Sequence, residues 1–151
     1  MIIRKAELSD IKELTRLMME FQAFYQQESK TEELQNFIES RINNRDSVIF
    51  VAEENNKLVG YAQLYPSFST IKLSDIWILN DLFILESFRK KGVASQLIDT
   101  VLEFSEEGQR KQVWLLTGSD NKQAQQLYNR KGFINTKFKH YVCNIKTSAT
   151  N

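Results

Sequence analysis

Three cations followed by a glycine, Arg89-Lys90-Lys91-Gly92, stand where a strand-like run gives way to helical spacing. Residues 76 to 85 are mostly branched or aromatic with no Gly or Pro, whereas apolar residues beyond the turn fall at 93, 94, 97, 98, 101 and 102. A helix start leaves its first N–H groups without partners and carries partial positive charge. Arg89, Lys90, Lys91 and the backbone around Gly92 therefore form a cradle suited to phosphate. Three charges in a row are often only a solvated turn, but this position at a glycine-containing helix start favours phosphate contact. Gly92 also lets backbone approach a ligand closely. The chain has no Gly-rich loop ending in Lys-Ser or Lys-Thr and no G-x-G-x-x-G, so P-loop and dinucleotide sites are excluded.

The pattern that fits is Arg89-x-x-Gly92-x-Ala94, preceded on its strand by Asn80-Asp81-Leu82-Phe83-Ile84. A second element follows the strand-like Val113-Trp-Leu-Leu-Thr117, namely Asn121-x-x-Ala124-x-x-Leu127-Tyr128-x-x-x-Gly132-Phe133. There Asn121 can cap a helix, Ala124, Leu127 and Tyr128 share one face, and Gly132 can end the helix in a left-handed turn. In order and spacing the two elements resemble the signatures of the GNAT superfamily of N-acetyltransferases, over roughly residues 47 to 146. The resemblance implies an α+β fold with a central mixed sheet of six or seven strands flanked by about four helices. It also implies acetyl-CoA as co-substrate and a primary amine as acceptor.

Acetyl transfer from a thioester to an amine needs a held donor, a polarised carbonyl, an uncharged amine and a proton for the departing thiolate. By resemblance, the pyrophosphate rests on the N–H groups of Lys90, Lys91, Gly92, Val93, Ala94 and Ser95 and Asn121 belongs to the cofactor side, while the pantetheine arm runs beside Leu82, Phe83 and Ile84, pairing with their backbone like an added strand. A backbone N–H freed by splaying of the central strand would stabilise charge on the thioester oxygen. Tyr128 takes the place of the general acid: a phenol of pKa about 10 can protonate a thiolate of pKa about 8.5. For proton removal, the polyamine-acetylating relatives commonly carry two acidic residues at this strand end. Here the first is Asn80, which cannot accept a proton. Asp81 acting through a water, an amine that arrives neutral, and a purely structural Asp81 stay open.

The elements that must position these groups read as follows. Ile2 to Lys5 is a short strand, and Ser9 and Asp10 cap a helix whose stripe is Ile11, Leu14, Leu17, Met18, Phe21 and Phe24. Thr31 caps a second helix burying Leu34, Phe37, Ile38 and Ile42; Phe21 and Phe37 read as core. Residues 47 to 52 and 58 to 65 form a hairpin about Glu54-Asn-Asn-Lys57, Pro66 ends its second strand, and a Ser-rich loop follows to residue 74. By resemblance the helices and this loop border the acceptor, which makes Phe24, Glu28, Phe68, Asp75, Trp77 and Asn80 substrate candidates, with Glu20 and Tyr25 beside them. A helix from Gly92 to about Glu107 and a strand from 113 come next, and Phe133 and 138 to 145 read as the last strands. Residues 1 to 146 form one domain and 147 to 151 a tail.

The 151 residues carry 20 Lys and Arg against 19 Asp and Glu, so no general charge drives the chain towards nucleic acid or anionic membrane. One cysteine, Cys143, excludes an internal disulfide and reads as a small buried residue. His140 reads as structural, and no residue cluster suits a metal. With neither a signal-like N-terminus nor a membrane-length apolar run, the expected compartment is the cytoplasm. The resemblance around residues 78 to 94 leans towards diamine and polyamine acetylating members, so the expected acceptor is a small cationic amine that Glu20, Glu28 and Asp75 could hold with Phe24, Tyr25 or Trp77; a histone-like or ribosomal-protein tail and an aminoglycoside are alternatives. A non-catalytic acyl-CoA sensor is the rival from another class, and a homodimer through the last strands is common among resembling proteins.

Overall fold

The computed structural model describes residues 1–147; the expected tail falls almost wholly outside them. Its elements run β1 (Ile2–Lys5), α1 (Ile11–Phe24), α2 (Thr31–Asn44), β2 (Val48–Glu54), β3 (Lys57–Ser69), β4 (Ser74–Ile84), α3 (Val93–Glu107), β5 (Val113–Leu115) and α4 (Lys122–Arg130). One sheet takes the strands in chain order, with β1 to β4 antiparallel and β5 parallel to β4. The architecture is the expected mixed one, with five strands rather than six or seven among the described residues. The segments around Phe133 and 138 to 145 carry no strand, and Phe138, Tyr141, Val142 and Ile145 stand exposed. Aromatic and β-branched residues supply strand propensity but not a partner edge, and β5 offers only three residues of ladder. Cys143 is likewise exposed, not buried.

Each face of the sheet buries its own core. Leu14, Leu17 and Met18 of α1 and Leu34 and Ile38 of α2 cover Ile49, Val51, Leu58, Tyr61 and Phe83. On the other face Val93, Leu97 and Val101 of α3 cover Phe50, Ala52, Leu64, Trp77 and Leu79. Apolar residues three and four apart on a helix meet every second residue of the strands, as the two periods require. The hairpin strand does not stop at Pro66 but runs to Ser69. Pro66 pairs with Trp77, whose own N–H turns outward to the Gln112 carbonyl, so this is a non-hydrogen-bonded pair. The nitrogen of Pro66 thus faces away from β4, on the side where β2 has already ended at Val48, and no ladder bond is lost.

Asp10 does not cap α1 with its side chain. Its carboxylate accepts two bonds from the Arg4 guanidinium, at 2.8 and 2.9 Å, and the Glu7 N–H at 2.7 Å, while Arg4 Nε donates to Glu53 at 2.9 Å. β1, β2 and the entry to α1 are tied together there. The Arg4 bonds hold the Asp10 carboxyl below its ordinary value despite burial. A lowered carboxylate contributes stability above its unfolded pKa, and the contribution disappears as pH falls through the folded one. Asp10→Asn should cost about 1.5–3 kcal/mol in urea unfolding at neutral pH. The difference from the parent should shrink towards zero as the pH is taken into the acid range. A pH-independent cost would show that packing, not the ion pair, is what the substitution removes.

Candidate active site

The β4 strand carries the irregularity on which the site depends. In its ladder with β3, Gln63 pairs with Asp81 and Leu64 with Leu79, so Asn80 has no opposite residue. This is a bulge, and it puts two consecutive side chains on one face. Trp77 and Leu79 lie in the α3-side core and Phe83 in the α1–α2 core, while Asn80 and Asp81 both border a cavity of about 320 Å³ on the α1–α2 side. Met18, Phe21 and Gln22 of α1, Ser29, Glu33, Leu34 and Phe37, and Gln63 and Tyr65 of β3 complete its wall.

Asp81 is 6 % exposed and accepts three hydrogen bonds: Asn80 Nδ2 at 2.6 Å, Tyr61 Oη at 2.9 Å and Gln63 Nε2 at 3.1 Å. Burial pushes its carboxyl above the ordinary value, and the bonds from Asn80, Tyr61 and Gln63 pull it part of the way back. Burial also raises the Tyr65 phenol to about 12, with Asp81 adding to the effect. Asp81 is thus a buried carboxylate bonded by a phenol and two amides, at the wall of a cavity that Glu33 also lines.

The bulge also shifts which backbone groups face β5. The Trp77 N–H points to the β5 side, but beyond the bulge the Leu85 N–H bonds the Val59 carbonyl of β3. Alternation then turns the N–H groups of Leu82 and Ile84 to the outer edge. β5 pairs only with Trp77, Ile78 and Leu79, so from Asn80 onward this edge has no strand against it. The carbonyl of Ile84 is taken by Arg89 Nε at 2.9 Å, and the guanidinium lies 5.5 Å from the Phe83 ring centre. Arg89 therefore pins the turn to the strand end, and its remaining N–H groups meet no protein acceptor among the described residues.

At the turn, Gly92 sits at φ +82° as the residue before α3, with no side-chain cap. The first helical bond runs from the Gln96 N–H to the Gly92 carbonyl, and the N–H groups of Val93, Ala94 and Ser95 meet no protein acceptor among the described residues. A Cβ at Gly92 would meet nothing within 4 Å, so the space beside this residue is open. Lys90 and Lys91 are exposed beside it. These features fit a bound pyrophosphate.

On α4, the Asn121 side chain accepts the Ala124 N–H at 3.3 Å, and the Phe133 N–H returns to the Tyr128 carbonyl past Gly132 at φ +94°. Tyr128 is half-buried with its ring edge-on to Phe133 at 5.7 Å. Burial, and then the Tyr25 phenol, push its hydroxyl above the ordinary value. Lys131 Nζ ties the end of α4 to Asp99 of α3 at 2.7 Å.

Several substrate candidates lie elsewhere. Phe68 pairs with Asp75 at the far end of the β3–β4 ladder, where both border a separate cavity of about 560 Å³, and Asp75 is in an ion pair with Arg110 at 3.3 Å. Trp77 is core on the opposite face, with Phe104 and the Arg110 guanidinium against it. Phe24 and Glu28 are exposed and outside the cavity wall, although Phe24 touches Tyr25 edge-on and Tyr25 touches Phe21. Asn80 alone of the substrate candidates borders the cavity. Gln63, Tyr65, Phe21, Phe37 and Glu33 were not singled out by sequence as site residues. A polar Gln63 within the apolar run 58 to 64 was the available signal.

The sequence matches the Acetyltransferase (GNAT) family over residues 11–133. It is 36% identical over 146 residues to the uncharacterized N-acetyltransferase YhfO of Bacillus subtilis, covering 96% of this chain and 98% of that protein. The crystal structure of a probable acetyltransferase superposes with a TM-score of 0.88 at 34% identity, over 97% of this chain and 99% of the other. A predicted acetyltransferase from Clostridium acetobutylicum, crystallised with acetyl-CoA, shares the fold at TM-score 0.78 and 19% identity, over 94% and 95% of the two chains. No helix among the described residues is long and apolar enough to cross a membrane, and none of their His, Cys, Asp and Glu side chains group as a metal site. The chain belongs to the GNAT family and is an acetyl-CoA-dependent N-acetyltransferase.

Proposed function

We propose that the acceptor is the primary amine of a small cationic molecule, of the diamine or polyamine kind, entering the cavity beneath α1 and α2. The observation that carries this is the bulge that turns Asn80 and Asp81 together into that cavity, next to the unpaired edge of β4. Asp81 and Glu33 are the charged groups of the wall and both are acidic, while Phe21, Leu34, Phe37 and Met18 offer surface for an alkyl stem. Such a wall suits a cation on an apolar chain.

Acetyl-CoA supplies the activated acyl group as a thioester. The N–H groups of Val93, Ala94 and Ser95, with Arg89, Lys90 and Lys91, hold its pyrophosphate, and the outer edge at Leu82 and Ile84 takes the pantetheine arm as an added strand. The Leu82 N–H is placed to stabilise negative charge developing on the carbonyl oxygen. The amine nitrogen forms the bond to the acyl carbon as the carbon–sulfur bond breaks. Asp81 receives the amine proton through a water, and Tyr128 gives its proton to the thiolate.

Because Asp81 is raised, its base form is lost as pH falls through a value above the ordinary carboxylate one, and the acid limb of kcat/KM should reflect this. Asp81→Asn should lower turnover by about 10²–10³-fold near neutral pH and recover partly at high pH, where free amine is plentiful. The measurement is a pH–rate profile with spermidine as acceptor, following release of free thiol. A loss that is uniform across pH would assign Asp81 to structure, and no thiol release with any cationic amine would remove the acceptor reading.

A further inference from the structure

The cavity wall contains a buried acceptor atom that the chain leaves unpartnered. Gln63 is 2 % exposed and projects to the α1–α2 side between Tyr61 and Tyr65. Its Nε2 donates to Asp81 Oδ2 at 3.1 Å, and an ionised carboxylate dictates that this end of the amide faces it. Its Oε1 then meets no donor among the described residues. A buried acceptor without a partner is costly, and such an atom beside a ligand cavity is explained when the ligand brings the donor. Asp81 Oδ1 and Oδ2 already take three bonds from Asn80, Tyr61 and Gln63, so the carboxylate's position is fixed from three directions.

We propose that Gln63 is a positioning residue for the acceptor, its Oε1 accepting one N–H of a primary amine whose other N–H is directed to the Asp81 side. This rests on reading the cavity as the acceptor site. A neutral primary amine has two N–H donors and one lone pair. With both donors held by groups on β3 and β4, the lone pair is turned away from them and left free to attack. A secondary amine can satisfy only one of the two acceptors and leaves the other buried and unpaired, so the arrangement selects primary over N-methylated nitrogen.

The test uses calorimetric binding and steady-state kinetics with n-butylamine and N-methylbutylamine in the presence of acetyl-CoA or CoA. The parent protein should use n-butylamine with a kcat/KM at least about tenfold above that for its N-methyl counterpart, because the attacking form is the neutral amine, which in the secondary case keeps one N–H. Gln63→Met, which keeps length and removes both polar ends, should raise Kd and KM for n-butylamine by about 10- to 100-fold, with a smaller change in kcat and an unchanged melting shift on adding acetyl-CoA. Gln63→Glu should recover most of the loss. Crowded against Asp81 its carboxyl holds a proton, so its O–H bonds Asp81 and its carbonyl oxygen faces the amine. Equal kcat/KM for the two amines, an unaltered Kd in Gln63→Met, or a Gln63→Glu protein as poor as Gln63→Met would overturn the proposal. Gln63-dependent binding without any acetylation would uphold the site and sink the reaction assigned to it; acetylation that ignores Gln63 would do the reverse.

Discussion

Tyr128→Phe should reduce turnover on a good amine acceptor by about 10²–10⁴-fold while leaving the affinity for acetyl-CoA nearly unchanged. The substitution keeps the ring, and with it the edge-on contact with Phe133, and removes only the proton donor. Folding has little to lose, because no protein group among the described residues is bonded to this hydroxyl. Burial raises the phenol, so its protonated form persists further into alkali than a free tyrosine's, and the acid stays loaded throughout the neutral range. A thiolate can depart unprotonated at some cost, which is why a residual rate is expected rather than none. Single-turnover kinetics with a saturating amine, set beside the melting shift given by acetyl-CoA, separates the two effects. Full activity in Tyr128→Phe would take the acid role away from α4.

The second large effect is at the turn. Gly92→Glu should abolish the stabilisation that acetyl-CoA gives, which for a ligand at 100 times its Kd amounts to about 2.7 kcal/mol. The space a side chain would enter is open, so the fold itself has room for it. What the glutamate does is place its carboxylate before the N–H groups of Val93, Ala94 and Ser95, where it competes with the pyrophosphate and repels it. A non-glycine residue at φ +82° costs on the order of 1–2 kcal/mol in either ligation state. Gly92→Ala carries that strain without the charge and should keep most of the acetyl-CoA shift. A folded Gly92→Glu protein that is still stabilised like the parent would remove the phosphate role of the turn.

Much of the molecule is written locally. The cradle is a helix start beside three cations, and the α4 cap, face and exit are set by Asn121, Tyr128 and Gly132 within twelve residues. Spacing of this kind survives without knowledge of what packs where. The stripes of α1 and α3 and the turn between β2 and β3 were legible for the same reason.

Tertiary structure decided which residues share the site. Strict alternation along β4 would put Trp77, Leu79 and Asp81 on one face, but the bulge at Asn80 resets the phase, so Trp77 serves the α3 core while Asp81 faces α1 and α2. Nothing local in Leu-Asn-Asp-Leu announces that extra residue; it is a fact about pairing with β3. The same pairing let Pro66 continue a strand, carried Phe68 and Asp75 to the far end of the hairpin, and set Gln63 against Asp81 from eighteen residues away. The last segment shows the converse: aromatic and β-branched side chains from 138 to 145 give the propensity for a strand, but a strand exists only where another edge accepts its hydrogen bonds, and propensity by itself cannot provide one.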